Sequence, residues 1–140
     1  MDFLDNFSER YTAVKYEEQR KILVADDEDV ILFSYKKLYS HNSVRVDVCK
    51  TADAAYEMIR NTTYDVVISD VRFSDSDCTQ GLDILEYIKE RSPVTKVIIM
   101  TGYGSAELKD KAMSLGAYCY FDKPVEISQV DQILSTLGLF

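Results

Sequence analysis

Five polar residues stand at or just beyond the ends of short apolar runs. Asp26 and Asp27 follow Ile22-Leu23-Val24-Ala25, Asp70 follows Val66-Val67-Ile68-Ser69, and Thr101 follows Val97-Ile98-Ile99-Met100. Lys123 comes two residues after Tyr118-Cys119-Tyr120-Phe121. Three carboxylates, a hydroxyl and an ammonium are a group set suited to phosphoryl transfer. A carboxylate such as that of Asp70 can act as the nucleophile and form an acyl phosphate, and a cation with a lysine can offset the charge on the phosphoryl oxygens. Two carboxylates about 4 Å apart repel by about 4 kcal/mol at an effective dielectric near 20. Crowding them therefore raises a pKa unless a cation joins them. Mg²⁺ takes one or two carboxylates and completes its shell with water and phosphate oxygen. Taken singly, each residue has an ordinary role. Asp26, Asp27 or Glu28 can cap a helix, Asp70 can open a turn, Thr101 can satisfy a backbone group, and Lys123 can be surface charge. What speaks for a shared site is their common position at the ends of four runs.

The runs at Lys21–Ala25, Asp65–Ser69, Lys96–Met100 and Tyr118–Phe121 are short and rich in β-branched or aromatic residues, as in strands buried on both faces of a parallel sheet. Val44-Arg45-Val46-Asp47-Val48 alternates like an edge strand. Helical segments lie between them. Val30, Ile31, Leu32, Phe33, Leu38 and Tyr39 mark the first. Thr51 caps the second, Ala52 to Arg60, with Ala55, Met58 and Ile59 inward. Leu82, Ile84, Leu85 and Ile88 mark the third, which stops before Ser92-Pro93. Ser105 caps the fourth, Ala106 to Leu115, which ends at Gly116. Ile127, Val130, Ile133 and Leu134 mark the fifth. A β-α unit repeated five times predicts an α/β fold, a doubly wound five-stranded parallel sheet with helices on both faces. All strand C-termini then lie along one edge, where open sheets of this kind bind ligands.

Composition narrows the function further. The 140 residues suit one domain, 46% are apolar, and 24 acidic against 16 basic side chains leave a net charge of −8. An acidic chain lacks the basic face that direct nucleic-acid binding needs. No apolar run reaches the roughly 20 residues of a membrane span, and the acidic start Met1-Asp2-Phe3-Leu4-Asp5 is not an export signal, so the expected location is the cytoplasm. Cys49, Cys78 and Cys119 are odd in number and widely spaced, arguing for free thiols rather than a disulfide framework or zinc site. His41 is placed at a helix end. Residues 1–20 precede the first strand as an extension. In it, Phe3, Phe7, Tyr11 and Val14 recur at helical spacing, which predicts an amphipathic helix.

The strings Ile22 to Glu28, Asp65 to Asp70, Val97 to Gly104, Leu115 to Pro124 and Gly81-Leu82-Asp83-Ile84-Leu85 together resemble the receiver domains of bacterial response regulators. The wording is most similar to receivers that precede AAA+ transcriptional activators. The resemblance implies a flavodoxin-like sheet of strand order 2-1-3-4-5 across residues 21–140. It implies a two-component switch, not an enzyme, in which Asp70 accepts a phosphoryl group from a sensor histidine kinase or phosphotransfer protein. Mg²⁺ would be held by Asp27, Asp70 and the backbone carbonyl of Arg72, with Asp26 acting mostly through water. Thr101 and Lys123 would engage phosphoryl oxygens, and Tyr120 would be the switch aromatic that turns as Thr101 moves. The resemblance also implies a cis Lys123-Pro124 bond, a downstream output protein as partner and a possible homodimer. The chain departs from the family in the loop Val71 to Gln80, which lacks the usual Met-Pro and is about three residues longer. That loop is expected to alter partner recognition or phosphoryl lifetime; Asp75 and Asp77 within it are read as solvated acids.

Two rivals are weighed against this. A haloacid-dehalogenase-like phosphatase would use Asp27-Glu28-Asp29 as D-x-D, but Val30-Ile31 lack the expected threonine. A protein-binding module that keeps the fold without phosphorylation is the main alternative, opposed by the intact five-residue set. Met1 and the N-terminal extension favour a free-standing regulator over an excised receiver.

Overall fold

The computed structural model describes residues 19–73 and 80–140. Five strands alternate with five helices: β1 (Arg20–Ala25), α1 (Asp29–Tyr39), β2 (Val44–Cys49), α2 (Ala52–Asn61), β3 (Val66–Asp70), α3 (Gln80–Arg91), β4 (Lys96–Thr101), α4 (Ala106–Ser114), β5 (Cys119–Asp122) and α5 (Ile127–Thr136). All strand pairs are parallel, in the order β2-β1-β3-β4-β5, as the resemblance implied. β1 begins one residue ahead of the boundary read at 21. The expected helix within residues 1–18, and Asp75, Asp77 and Cys78, lie outside the described residues.

Period-two alternation divides the apolar residues between the two sheet faces. Leu23, Ala25, Val67, Val97 and Ile99 pack with Ala55 of α2, Leu82, Leu85 and Ile88 of α3, and Ala112 of α4. Ile22, Val24, Ile68, Ile98 and Met100 pack on the opposite face with Leu32 and Tyr35 of α1 and Val130 and Leu134 of α5. Every residue of β3 is buried, so the run ending at Asp70 lies at the centre of the fold.

The local signals hold where they can be checked. Thr51 accepts the Ala54 N–H and Ser105 the Leu108 N–H, each at 3.1 Å. Gly116 has φ 105°, the left-handed conformation of a residue just past a helix. α3 ends at Arg91, before Pro93. The first helix differs from a simple reading of its apolar residues. Val30 and Phe33 are 76% and 69% exposed and Leu38 is also exposed, because the helix turns the stripe of Leu32, Tyr35 and Tyr39, with half-buried Ile31 beside it, toward the sheet. His41 falls just past α1, with its ring 5.0 Å from that of Phe140. Among the described residues no helix is long and apolar enough to cross a membrane.

Candidate phosphoryl-acceptor site

The register explains how residues far apart in sequence converge. β1 and β3 are neighbours with Ala25 opposite Ser69, so Asp26 emerges beside Asp70. β4 flanks β3 with Met100 opposite Asp70, and β5 flanks β4 with Asp122 opposite Thr101. Lys123 leaves the end of β5 while its N–H donates to the Thr101 carbonyl at 2.8 Å. From there its long stem spans strands spaced about 4.8 Å apart to reach the carboxylates at the centre.

One oxygen each from Asp26, Asp27 and Asp70 can be chosen so that all three lie within 4.8 Å of one another. Asp26 is 1% and Asp70 6% exposed. The Lys123 ammonium donates to Asp26 Oδ2 at 2.7 Å and Asp70 Oδ2 at 2.9 Å, and reaches Glu28 Oε2 at 3.4 Å. The remaining oxygens are held by backbone. Asp26 Oδ1 accepts the Glu28 N–H at 2.9 Å; Asp70 Oδ1 accepts the Val71 N–H at 2.7 Å and the Arg72 N–H at 3.3 Å. Burial pushes the Asp26 carboxyl above its ordinary pKa, outweighing the Lys123 and Glu28 hydrogen bonds. For Lys123, burial acts to lower the pKa, yet the hydrogen bonds it donates to Asp26 and Asp70 outweigh burial and hold the ammonium above its ordinary range. Three clustered carboxylates against one bridging ammonium leave an excess of negative charge, and the all-oxygen donor set suits a hard divalent cation.

Thr101 is fully buried, and its Oγ1 accepts the Tyr103 N–H at 3.1 Å. Two residues after Asp70 and two after Thr101, the Arg72 guanidinium stacks on the Tyr103 ring at 4.3 Å from its centroid. The loops after β3 and β4 thus meet beside the acidic cluster. Tyr120 packs on the α2–α3–α4 face of the sheet with its hydroxyl buried. Burial, and next the Asp122 charge, raise its pKa. Lys123-Pro124 is cis.

The structure therefore brings Asp26, Asp27, Asp70 and Lys123 into one cluster and sets Thr101, Arg72 and Tyr120 on the segments around it. Sequence reading missed two participants. Glu28 was visible only as a potential cap, although it continues the Asp26-Asp27 acidic run, and it caps α1 without a side-chain bond. Gly81 had no chemical signal. A Cβ there would fall on the Asp70 carbonyl oxygen and lie 2.5 Å from Val71 Cα, so the missing side chain lets α3 pass against the backbone of Asp70.

A doubly wound sheet with an acidic cluster and a bridging lysine at its C-terminal edge defines the flavodoxin-like class of phosphorylation switches. Residues 22–135 match the family model described as response regulator receiver domain, and the chain belongs to that family. It is 24% identical over 119 residues to the photosynthetic apparatus regulatory protein RegA of Rhodobacter capsulatus, covering 85% of this chain and 63% of RegA. It is 31% identical to the transcriptional regulatory protein ZraR of Klebsiella oxytoca over 84% of this chain and 26% of ZraR. The chain thus spans less than two thirds of these curated relatives. Among solved structures it is similar to a CheY-like receiver domain protein from Methanospirillum hungatei, with TM-score 0.75 and 28% identity over 85% of this chain and 94% of that one. It is likewise similar to the beryllofluoride-activated NtrC4 receiver domain dimer, with TM-score 0.73 and 31% identity over 84% of this chain and 94% of that one.

Proposed function

We infer that this receiver is operated by phosphorylation of Asp70, with a sensor histidine kinase or phosphotransfer protein as donor. The observation that carries this reading is the Lys123 ammonium bonded at once to Asp26 and Asp70 within a cluster of three carboxylates. An ion pair kept only for stability would not need the additional acid. An Asp70 oxygen attacks the phosphorus of a phosphohistidine, the P–N bond breaks, and its electron pair returns to the imidazole. Asp26, Asp27, Asp70 and the Arg72 backbone carbonyl are the groups to hold Mg²⁺, which offsets the charge of the carboxylates and the phosphoryl oxygens when bound. Lys123 and Thr101 then serve the phosphoryl oxygens.

Acceptance is followed by slow self-hydrolysis and not by turnover of a phosphate ester. The Arg72–Tyr103 stack stands where it can obstruct in-line water. The added charge, about −1.5 to −2, draws Thr101, and the face of α4, β5 and α5 is remodelled for a downstream output protein or a second copy of the chain. The similarity to a beryllofluoride-activated receiver dimer supports the second-copy reading. Such a switch works in the cytoplasm.

The direct test is acetyl phosphate with Mg²⁺, read by intact-protein mass. The wild-type chain gains one phosphoryl group and Asp70→Asn gains none. Persistent labelling of Asp70→Asn would place the nucleophile elsewhere.

A further inference from the structure

The loop joining β4 to α4 reads Gly102-Tyr103-Gly104-Ser105, with two glycines within three residues. Neither adopts the left-handed backbone that favours glycine; among the described residues that conformation belongs to Gly116 and Gly138. The two differ in the space around them. A Cβ added to Gly102 would meet nothing within 4 Å. A Cβ added to Gly104 would fall on the Tyr120 hydroxyl oxygen and on Asp122 Oδ1, with Tyr120 Cζ at 3.3 Å. We propose that Gly104 is a positioning residue for Tyr120: the space left by its missing side chain is the seat in which the phenol lies inward against the sheet.

The two obstructions differ in how easily they give way. Asp122 is exposed at the end of β5, and its carboxylate can rotate into solvent. The Tyr120 ring packs against the apolar cluster beneath α2, α3 and α4 and has only χ1 and χ2 with which to withdraw. Its hydroxyl is buried and makes no well-formed hydrogen bond among the described residues, with only the Asp122 carboxylate and the Ser105 backbone near enough to act on it, an unfavourable situation for a polar group. Packing and available space, more than any well-formed hydrogen bond, hold the ring. A single methyl group at 104 therefore tips the ring out of its seat, while the same methyl at 102 leaves it in place.

The seat is tied to the site at both ends. Gly104 lies three residues after Thr101 and Tyr120 three before Lys123, and the Lys123 N–H to Thr101 carbonyl bond joins the two segments. On the phosphoacceptor reading, which this coupling requires, a loop drawn toward a phosphoryl group carries Gly104 with it and resizes the seat.

The chain has ten tyrosines, so the experiment labels the full-length protein with 3-fluorotyrosine and assigns the Tyr120 ¹⁹F signal by its loss in Y120F. A neutral soluble nitroxide then reports its exposure. Wild type and G102A should keep the signal protected, whereas G104A should broaden it severalfold more. Thermal unfolding of G104A, Y120F and the double variant closes a cycle. Removing the hydroxyl should suppress most of the G104A penalty. A Tyr120 signal as protected in G104A as in wild type, or additive penalties, overturns the proposal. Should G104A fail to fold, G104A/Y120A, which empties the seat, must fold; a pair that stays unfolded places the damage in the loop backbone and also overturns it. None of these arms uses a phosphoryl donor, so their failure leaves the Asp70 reading intact. A labelled Asp70→Asn would sink that reading and leave the seat.

Discussion

Removing the Lys123 ammonium would separate its two duties, neutralising the acids and serving the phosphoryl group. In the fold its pKa lies above the ordinary 10.5. Its contribution to stability is therefore fully present below that value and is lost as pH rises through the higher folded value. Asp26 has the opposite sense. Its folded pKa is raised from 3.8, so the folded state binds more protons than the unfolded one in that window. Stability from this group falls as pH rises through it. Lys123→Met leaves two buried acids without their shared cation, a change that costs about 3 kcal/mol in comparable pairs. In urea unfolding without metal the variant should lose about that much at neutral pH and recover on acidification toward the carboxylate range or on addition of Mg²⁺. A loss indifferent to both would show that Lys123 acts only through packing. Nearby, Arg72→Ala and Tyr103→Ala should each speed loss of label from the phosphorylated chain by about two- to fivefold, the rate equivalent of a cation–π contact of about 0.5–1 kcal/mol. Unchanged label lifetimes would remove the stack from the account of slow hydrolysis.

At the scale of elements, α3 is the helix most constrained by the site. The Gly81 N–H donates to the Val71 carbonyl at 2.8 Å, and no side chain fits between this position and the backbone of Asp70. Gly81→Ala should cost about 1–3 kcal/mol as an overpacked position and slow phosphorylation by acetyl phosphate. Chemical unfolding and label uptake would measure the two effects, and a variant matching wild type in both would mean that the strand end is free to shift. The elements themselves were legible in the sequence because each buried strand is a short apolar run and α2 and α4 carry their side-chain caps at Thr51 and Ser105. The acidic cluster was legible for the same reason, since parallel strands deliver their C-terminal residues to one edge. Gly81 and Gly104 were not legible as site residues. Their importance lies in a backbone and a phenol that approach them through space, and an absent side chain leaves no chemical trace in the sequence. The exposed Val30 and Phe33 were unreadable for a related reason: an apolar residue on a helix shows its face only once the sheet beneath is known.

For the whole molecule, the net charge of −8 opposes self-association at long range, so a second copy must be held by a specific face. Met113 of α4 and Tyr118 just before β5 are exposed there. Beryllofluoride with Mg²⁺ should shift sedimentation toward a dimer, and Asp70→Asn should stay where it was. A wild-type chain that remains monomeric under those conditions would leave a separate output protein as the partner of that face. The strand from which Lys123 emerges adds a last consequence. β5 has four residues, none fully buried, and among the described residues pairs only with β4. Its amides should be among the first in the sheet to exchange with deuterium, well ahead of those in β3. The cation that balances the acids thus hangs from the most loosely guarded strand, so it can be withdrawn or returned while the central ladder stays shut.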